Sequence, residues 1–292
     1  MPGPIVVVGG NPALRRRPST TPMGGNSDGR NIPLWVFVER AEIRERIITM
    51  TIPDTPAPAA VMPRIGDPAP EFTAVTTQGP INFPADYAGK WVIFFSHPAD
   101  FTPVCTSEFI TFASMQQQFA AYNTELVGLS VDGLYSHIAW LRTIKDKISF
   151  RDMHDVQVNF PLIEDVSMEI AGKYGMIMPG EDSTKAVRAV FVIDPTGTIR
   201  AIIYYPLSLG RNFDELLRVI KALQTADHYD VATPADWRPG DPVIVPPAGS
   251  CGTAKERMEG QVDGVECEDW FFCTKELSAE TVESAITAGA QP

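Results

Sequence analysis

From Ile65 onward, short runs of β-branched and aromatic residues alternate with longer segments of helical apolar period, and this alternation leaves few architectures open. Trp91–Ser96 is one such run of six residues, short enough to be a strand buried on both faces. Between Glu108 and Tyr122, Phe109, Phe112, Ala113 and Ala120 fall on one stripe of a helix. Leu126–Val131 then predicts a strand, and Ser136–Ile148 an amphipathic helix carrying Ile138, Leu141, Ile144 and Ile148. Phe160–Ile163 and Ser167–Tyr174 repeat the pair. Val187–Ile193 and Ile199–Tyr205 flank Asp194-Pro195-Thr196-Gly197, whose proline and glycine suit a tight hairpin turn, and Phe213–Ala226 closes the unit as a helix. Alternation that ends in a hairpin and a last helix predicts an α/β fold, with a mixed central sheet flanked by helices on both faces.

The two ends read differently. Residues 1–62 hold seven arginines against five acids, nine prolines and no long periodic segment, so they are expected to be a disordered N-terminal extension, with Met50 or Met62 nearer the working start. The compact unit is expected over 63–232. After Thr233 prolines return, in Trp237-Arg238-Pro239 and Val245-Pro246-Pro247, with a short charged helix near Ala254–Glu259. Residues 233–292 therefore read as an arm with little core of its own, suited to wrapping a neighbour.

A formal charge of −12 argues against nucleic acid, whose binding needs clustered Lys and Arg. No apolar run approaches the roughly 18 residues of a membrane helix. Four irregularly spaced cysteines are too few for a secreted disulfide framework, and no secretory leader pattern is present, so a cytoplasmic setting is expected.

The chemistry concentrates in Trp91-Val-Ile-Phe-Phe-Ser-His97-Pro98-Ala-Asp-Phe-Thr102-Pro103-Val-Cys105-Thr-Ser-Glu108, a strand, a loop and a helix start. Thr102 suits the N-cap and Pro103 the first helical position. Cys105 then lies in the first turn, where unpaired N–H groups and the positive end of the helix dipole favour a thiolate. A cysteine at a strand–helix junction is also a common buried, inert residue. The residues around it weigh against that.

The pattern Pro98-x-x-x-Thr102-x-x-Cys105, extended by His97, Phe101, Pro103 and Glu108, resembles the active-site signature of peroxiredoxins. The resemblance continues through Val131-Asp132-Gly133, Arg188-Ala-Val-Phe-Val-Ile-Asp194-Pro195, Tyr204-Tyr205-Pro206 and Gly210-Arg211-Asn212-Phe213-Asp214-Glu215, covering roughly residues 65–276. It is closest to the peroxiredoxin 6-like subgroup, in the archaeal and bacterial form with a two-cysteine C-terminal arm. It implies a thioredoxin-like fold, no cofactor, hydrogen peroxide and alkyl hydroperoxides as substrates, and a homodimer that assembles into a ring. Cys105 would be the peroxidatic cysteine, and Thr102 would hydrogen-bond its thiolate and the peroxide. Arg188 would supply the counter-charge, Pro98 would shield the sulfur, His97 would line the pocket, and Glu108 with Arg211 would orient Arg188.

Cys267-Glu-Asp-Trp270-Phe-Phe-Cys273 matches the paired-cysteine segment of that arm. The resemblance implies that Cys273 resolves the Cys105 sulfenic acid and that Cys267 then exchanges to form a Cys267–Cys273 disulfide, recycled by a thioredoxin-like dithiol protein. Which of the two attacks first stays open in the sequence. A zinc site at this pair is disfavoured by a five-residue gap, wider than the usual two to four. A disulfide oxidoreductase would need a cysteine at 108, which is Glu. Cys251 has no counterpart in the pattern and reads as an incidental loop thiol. The competing function is a ring-forming holdase chaperone with minor peroxidase activity.

Overall fold

The structure, a computed structural model, describes residues 62–288, so the expectation for 1–61 lies outside the described residues. Seven strands form one sheet in the order β2-β1-β5-β4-β3-β6-β7. They are β1 (Phe72–Thr76), β2 (Gly79–Phe83), β3 (Trp91–Ser96), β4 (Thr124–Ser130), β5 (Leu162–Glu164), β6 (Arg188–Ile193) and β7 (Ile199–Tyr205). The helices are α1 (Pro103–Ala120), α2 (Leu134–Lys147), α3 (Glu169–Lys173) and α4 (Phe213–Tyr229). β3 pairs parallel with β4 and antiparallel with β6, and β6 turns back on β7 as the Pro195–Gly197 hairpin requires. The mixed sheet expected from the alternation is the one found.

β3 and β6 are buried along their whole length because the sheet is covered on both faces. A strand sends successive side chains to opposite faces. Trp91, Ile93 and Phe95 accordingly join Phe109, Phe112, Trp140, Leu216 and Ile220 in one cluster, built largely from α1, α2 and α4. Val92 and Phe94 join Phe72, Phe83, Tyr174 and Phe191 in the other. The two clusters clamp β3 from both sides, and the functional loop leaves from its C-terminal end.

Two elements are markedly shorter than the sequence reading, and one hairpin is additional. β5 starts at Leu162, not Phe160: Pro161 has no N–H to give a ladder, although its carbonyl accepts from Gly128. α3 is only Glu169–Lys173, started by the Asp165 carboxylate, which accepts from the amides of Ile170 and Ala171. The hairpin β1–β2 was not foreseen.

The segment after Thr233 also differs from an arm that merely wraps a neighbour. It contains β8 (Val243–Ile244), α5 (Cys251–Met258), β9 (Glu266–Asp269), β10 (Phe272–Lys275) and α6 (Ala279–Ala288), the strands forming a small sheet in the order β8-β10-β9. Trp237, Val243, Leu277, Val282 and Ile286 are buried in the same cluster as α1 and α4. Burial of Val282 and Ile286 contributes about 1.5–3 kcal/mol each. Glu283 pins α6 further, accepting from Tyr122 Oη and from Lys221 Nζ at 2.8 Å. The cysteine-bearing hairpin β9–β10 is thus bracketed by two segments seated on their own chain.

Candidate active site

β3 ends at Ser96, and six loop residues carry the chain to α1. Phe101 takes a left-handed backbone (φ 56°), which turns the chain so that Thr102 can sit extended at the N-cap of α1. Thr102 is the cap residue by backbone position, but its hydroxyl does not cap: it donates to the Ala99 carbonyl at 2.9 Å. That corrects the side-chain capping expected from the sequence. The Thr102 carbonyl instead receives the Thr106 amide at 2.9 Å and the Thr106 hydroxyl at 2.8 Å. Pro103 at the first helical position loses nothing, since no acceptor precedes its missing N–H.

Cys105 is the third residue of the helix and has no exposed surface. Its sulfur is 3.3 Å from Nη1 of Arg188, the first residue of β6. That guanidinium is held on two sides. Nη1 also donates to Glu108 Oε2 at 2.7 Å, and Nε and Nη2 donate to the Leu207 carbonyl at 3.2 and 2.9 Å. Glu108 reaches the same spot as Cys105 because residues three apart share a helix face.

Arg211 completes the cluster. It donates to Glu108 through its amide (2.9 Å), Nε (3.1 Å) and Nη2 (2.7 Å), and through Nη1 to the carbonyls of Ser96 and Ala189. Its guanidinium lies over the Phe95 ring, 5.0 Å from the centroid. Burial pushes the Glu108 carboxyl up, but Arg211 and then Arg188 outweigh this and hold it below the usual carboxylate range. Two buried guanidiniums against one carboxylate leave an excess of one positive charge. A thiolate at Cys105 brings the cluster to neutrality, and burial makes an unpaired charge expensive.

His97, expected to line the pocket, sits in a buried network of its own. It is fully buried, packed on Phe109 and Trp140 at ring-centroid distances of 4.8 and 5.1 Å. Nε2 lies 3.0 Å from Asp100 Oδ1, and Nδ1 has no hydrogen-bond partner. Asp100 Oδ2 meets Nδ1 of a second buried histidine, His137, at 2.8 Å, while His137 Nε2 meets the Ile163 carbonyl at 3.1 Å. Burial pushes the Asp100 carboxyl up, yet hydrogen bonds from His137 and His97 outweigh it and keep it well below the carboxylate range. Burial lowers the His97 pKa, which leaves the ring neutral with its proton on the Asp100 side.

Pro98 is buried in the same loop. Sequence reasoning missed Asp100, His137 and Glu181, whose Oε1 accepts from the Leu207 amide at 2.9 Å and so steadies the carbonyl facing Arg188. Asp100 lies inside the quoted stretch, but its role depends on His137, 37 positions away. Cys267 and Cys273 are joined to each other across β9 and β10, whereas Cys105 is free. Cys251 is an exposed free thiol in the first turn of α5.

A buried thiol at a helix start, with a fixed guanidinium on its sulfur, can act as a nucleophile toward an electrophilic oxygen, because the same N–H groups stabilise charge developing there. The family model of the AhpC/TSA family matches residues 65–202, and that of the C-terminal domain of 1-Cys peroxiredoxin matches residues 222–261. A peroxiredoxin of Methanosarcina mazei is 58% identical over 73% of this chain and 98% of its own length. One from Aquifex aeolicus is 50% identical over 74% of this chain and 98% of its own. Among solved structures, the yeast mitochondrial 1-Cys peroxiredoxin aligns with a TM-score of 0.64 at 39% identity, over 74% of this chain and all of that one. Peroxiredoxin 6 of Arenicola marina aligns with a TM-score of 0.64 at 32% identity, over 74% of this chain and 99% of that one. The fold around Cys105 is therefore the thioredoxin-like one expected, and the chain belongs to the peroxiredoxin family of thiol peroxidases.

Proposed function

We propose that the chain reduces hydrogen peroxide and alkyl hydroperoxides through Cys105, on the strength of one observation above all: the Arg188 guanidinium donating to a sulfur in the first turn of α1. The thiolate attacks the terminal peroxide oxygen, the O–O bond breaks, and water or alcohol leaves as Cys105 becomes a sulfenic acid. Arg188, fixed by Glu108 and the Leu207 carbonyl, faces the forming charge. Pro98 shields the sulfur, and the Thr102 hydroxyl, whose proton goes to the Ala99 carbonyl, keeps lone pairs with which to accept from the peroxide. Replacing Arg188 by methionine should slow iodoacetamide alkylation of Cys105 at neutral pH and slow the first step at least tenfold, while disulfide formation after oxidation proceeds as before. An unchanged alkylation rate would mean that the helix terminus alone favours the thiolate.

In this reading, Cys273 resolves the sulfenic acid and Cys267 then closes the Cys267–Cys273 disulfide, which a thioredoxin-like dithiol protein reduces. The yeast mitochondrial 1-Cys peroxiredoxin has a thiol resolving mechanism via glutathione/thioredoxin systems. Cys105 is sealed in, so the first turn of α1 has to open before another sulfur can reach it. The arm, 233–292, supplies its cysteines to a neighbouring subunit. β7 favours such a partner: it is an outer strand, Ile199–Tyr205, rich in apolar residues, and beyond Ile199, which pairs with Gly66 and Asp67, the outer side of its ladder has no partner among the described residues. Pairing of β7 with its copy gives the homodimer from which a ring is built. Among the described residues no helix is long and apolar enough to cross a membrane, and few cysteines suit the reducing cytoplasm.

One equivalent of hydrogen peroxide should produce a dimer band on non-reducing gels that dithiothreitol removes. Cys273→Ser should lose that band, and Cys267→Ser should keep it but recycle slowly. Peptide maps in which neither arm cysteine is ever joined to Cys105 would establish a one-cysteine cycle instead. A chaperone with residual activity predicts slow turnover with every reductant tried.

A further inference from the structure

The two sulfurs of the arm disulfide are not equivalent in the fold. Cys273 lies on β10, the middle strand of the sheet β8-β10-β9, and has no exposed surface. Its carbonyl accepts the Val245 amide at 2.9 Å on one side, and its Cα pairs with Cys267 on the other. Cys267 lies on β9, the outer strand, and keeps part of its surface exposed, between the exposed Glu266 and Glu268.

Resting on the recycling reading above, we infer that the external reductant enters at Cys267, the outward sulfur, and that Cys273 is the leaving thiolate. Thiol–disulfide exchange depends on which sulfur the thiolate can reach, and an attacking thiolate approaches the sulfur it bonds to along the S–S axis, from the side opposite the sulfur it displaces. At Cys273 that path runs through the packed interior; at Cys267 it opens from the sheet edge. The reductant thiolate forms a bond to Cys267 Sγ, the Cys267–Cys273 bond breaks, and its electron pair stays on Cys273, which takes up a proton. The reductant's second thiol then displaces Cys267 and carries away the new disulfide. Two electrons have passed inward, and the first thiol released is the inward-facing Cys273, the one assigned to Cys105. The hairpin thereby separates its duties, the outer sulfur serving the reductant and the inner sulfur serving the peroxidatic centre.

The experiment uses the full chain carrying Cys251→Ser, which removes the exposed bystander thiol, oxidised with one equivalent of hydrogen peroxide. Peptide mapping at this stage must show Cys267 joined to Cys273. If it does not, the recycling reading fails, and this inference falls with it. The oxidised chain is then mixed with a thioredoxin whose second active-site cysteine is serine, remaining thiols are blocked with N-ethylmaleimide, and the mixed disulfide is mapped. The expected product joins thioredoxin to Cys267 with Cys273 alkylated, in at least tenfold excess over the reverse. Predominant attachment to Cys273, or equal amounts of both products, would overturn the inference while leaving the recycling reading standing.

Discussion

Replacing Cys105 by serine should abolish peroxide consumption and leave the fold intact. The loss is chemical: a serine hydroxyl is not ionised near neutral pH and oxygen is a poor nucleophile toward peroxide, so the barrier to the first step rises by far more than the ~1.4 kcal/mol that corresponds to each factor of ten. The structural cost is limited to the lost counter-charge, because the side chains are nearly isosteric and the buried hydroxyl retains the Arg188 N–H as a partner. Circular dichroism and thermal melting should match the parent within a few degrees, while hydrogen peroxide turnover falls to background. A folded serine variant that keeps a tenth or more of the activity would remove Cys105 from the mechanism.

The largest effect on stability should come from Glu108. Its carboxylate accepts from both buried guanidiniums, so Glu108→Ala leaves two buried cations with the Cys105 thiolate as their one counter-charge. Breaking a buried pair by removing one partner costs about 3–5 kcal/mol. For a chain of this size that is a fall in melting temperature of about 10 °C. Glu108→Gln keeps the shape and an acceptor oxygen, and should recover part of the loss. Alkylation of Cys105 should also slow in both variants, because Arg188 loses the group that aims it. The pH dependence has a definite sign. Glu108 has a depressed folded pKa, so its contribution is present above the unfolded carboxylate value of about 4.3 and disappears as pH falls through the folded value. The difference in stability between Glu108 and Glu108→Gln should therefore be greatest near neutrality and shrink in acid. A melting temperature within 2 °C of the parent for Glu108→Ala would show that the cluster relaxes or hydrates without cost.

The centre of this molecule was legible in the sequence because its signals are local. Trp91–Ser96 announces a buried strand, Pro103 announces a helix start, and Cys105 and Glu108 reach one point because they are three residues apart on that helix. Arg188 and Arg211 entered through the family resemblance; nothing in their immediate neighbours says that both meet Glu108. The surroundings of His97 were out of reach, since Asp100 and His137 meet only once α2 packs beside β5. The Thr102 hydroxyl was misjudged because the left-handed Phe101 turn brings the Ala99 carbonyl within reach, and the hydroxyl donates there instead of accepting from a helix amide. β1–β2 escaped notice because Pro80 interrupts an already short strand, and β8 is only two residues long. The arm looked coreless because its five buried apolar residues are spread over fifty positions, and they fill a core that other elements begin.

The mechanism requires the Cys105 sulfur to be the atom that peroxide oxidises. Its most direct test is mass spectrometry of the Cys267→Ser/Cys273→Ser variant treated with less than one equivalent of hydrogen peroxide in the presence of dimedone, which traps sulfenic acids. The label should fall on the peptide containing Cys105, in proportion to the peroxide added, and not on the exposed Cys251. Label on Cys251 with Cys105 unmodified would contradict it.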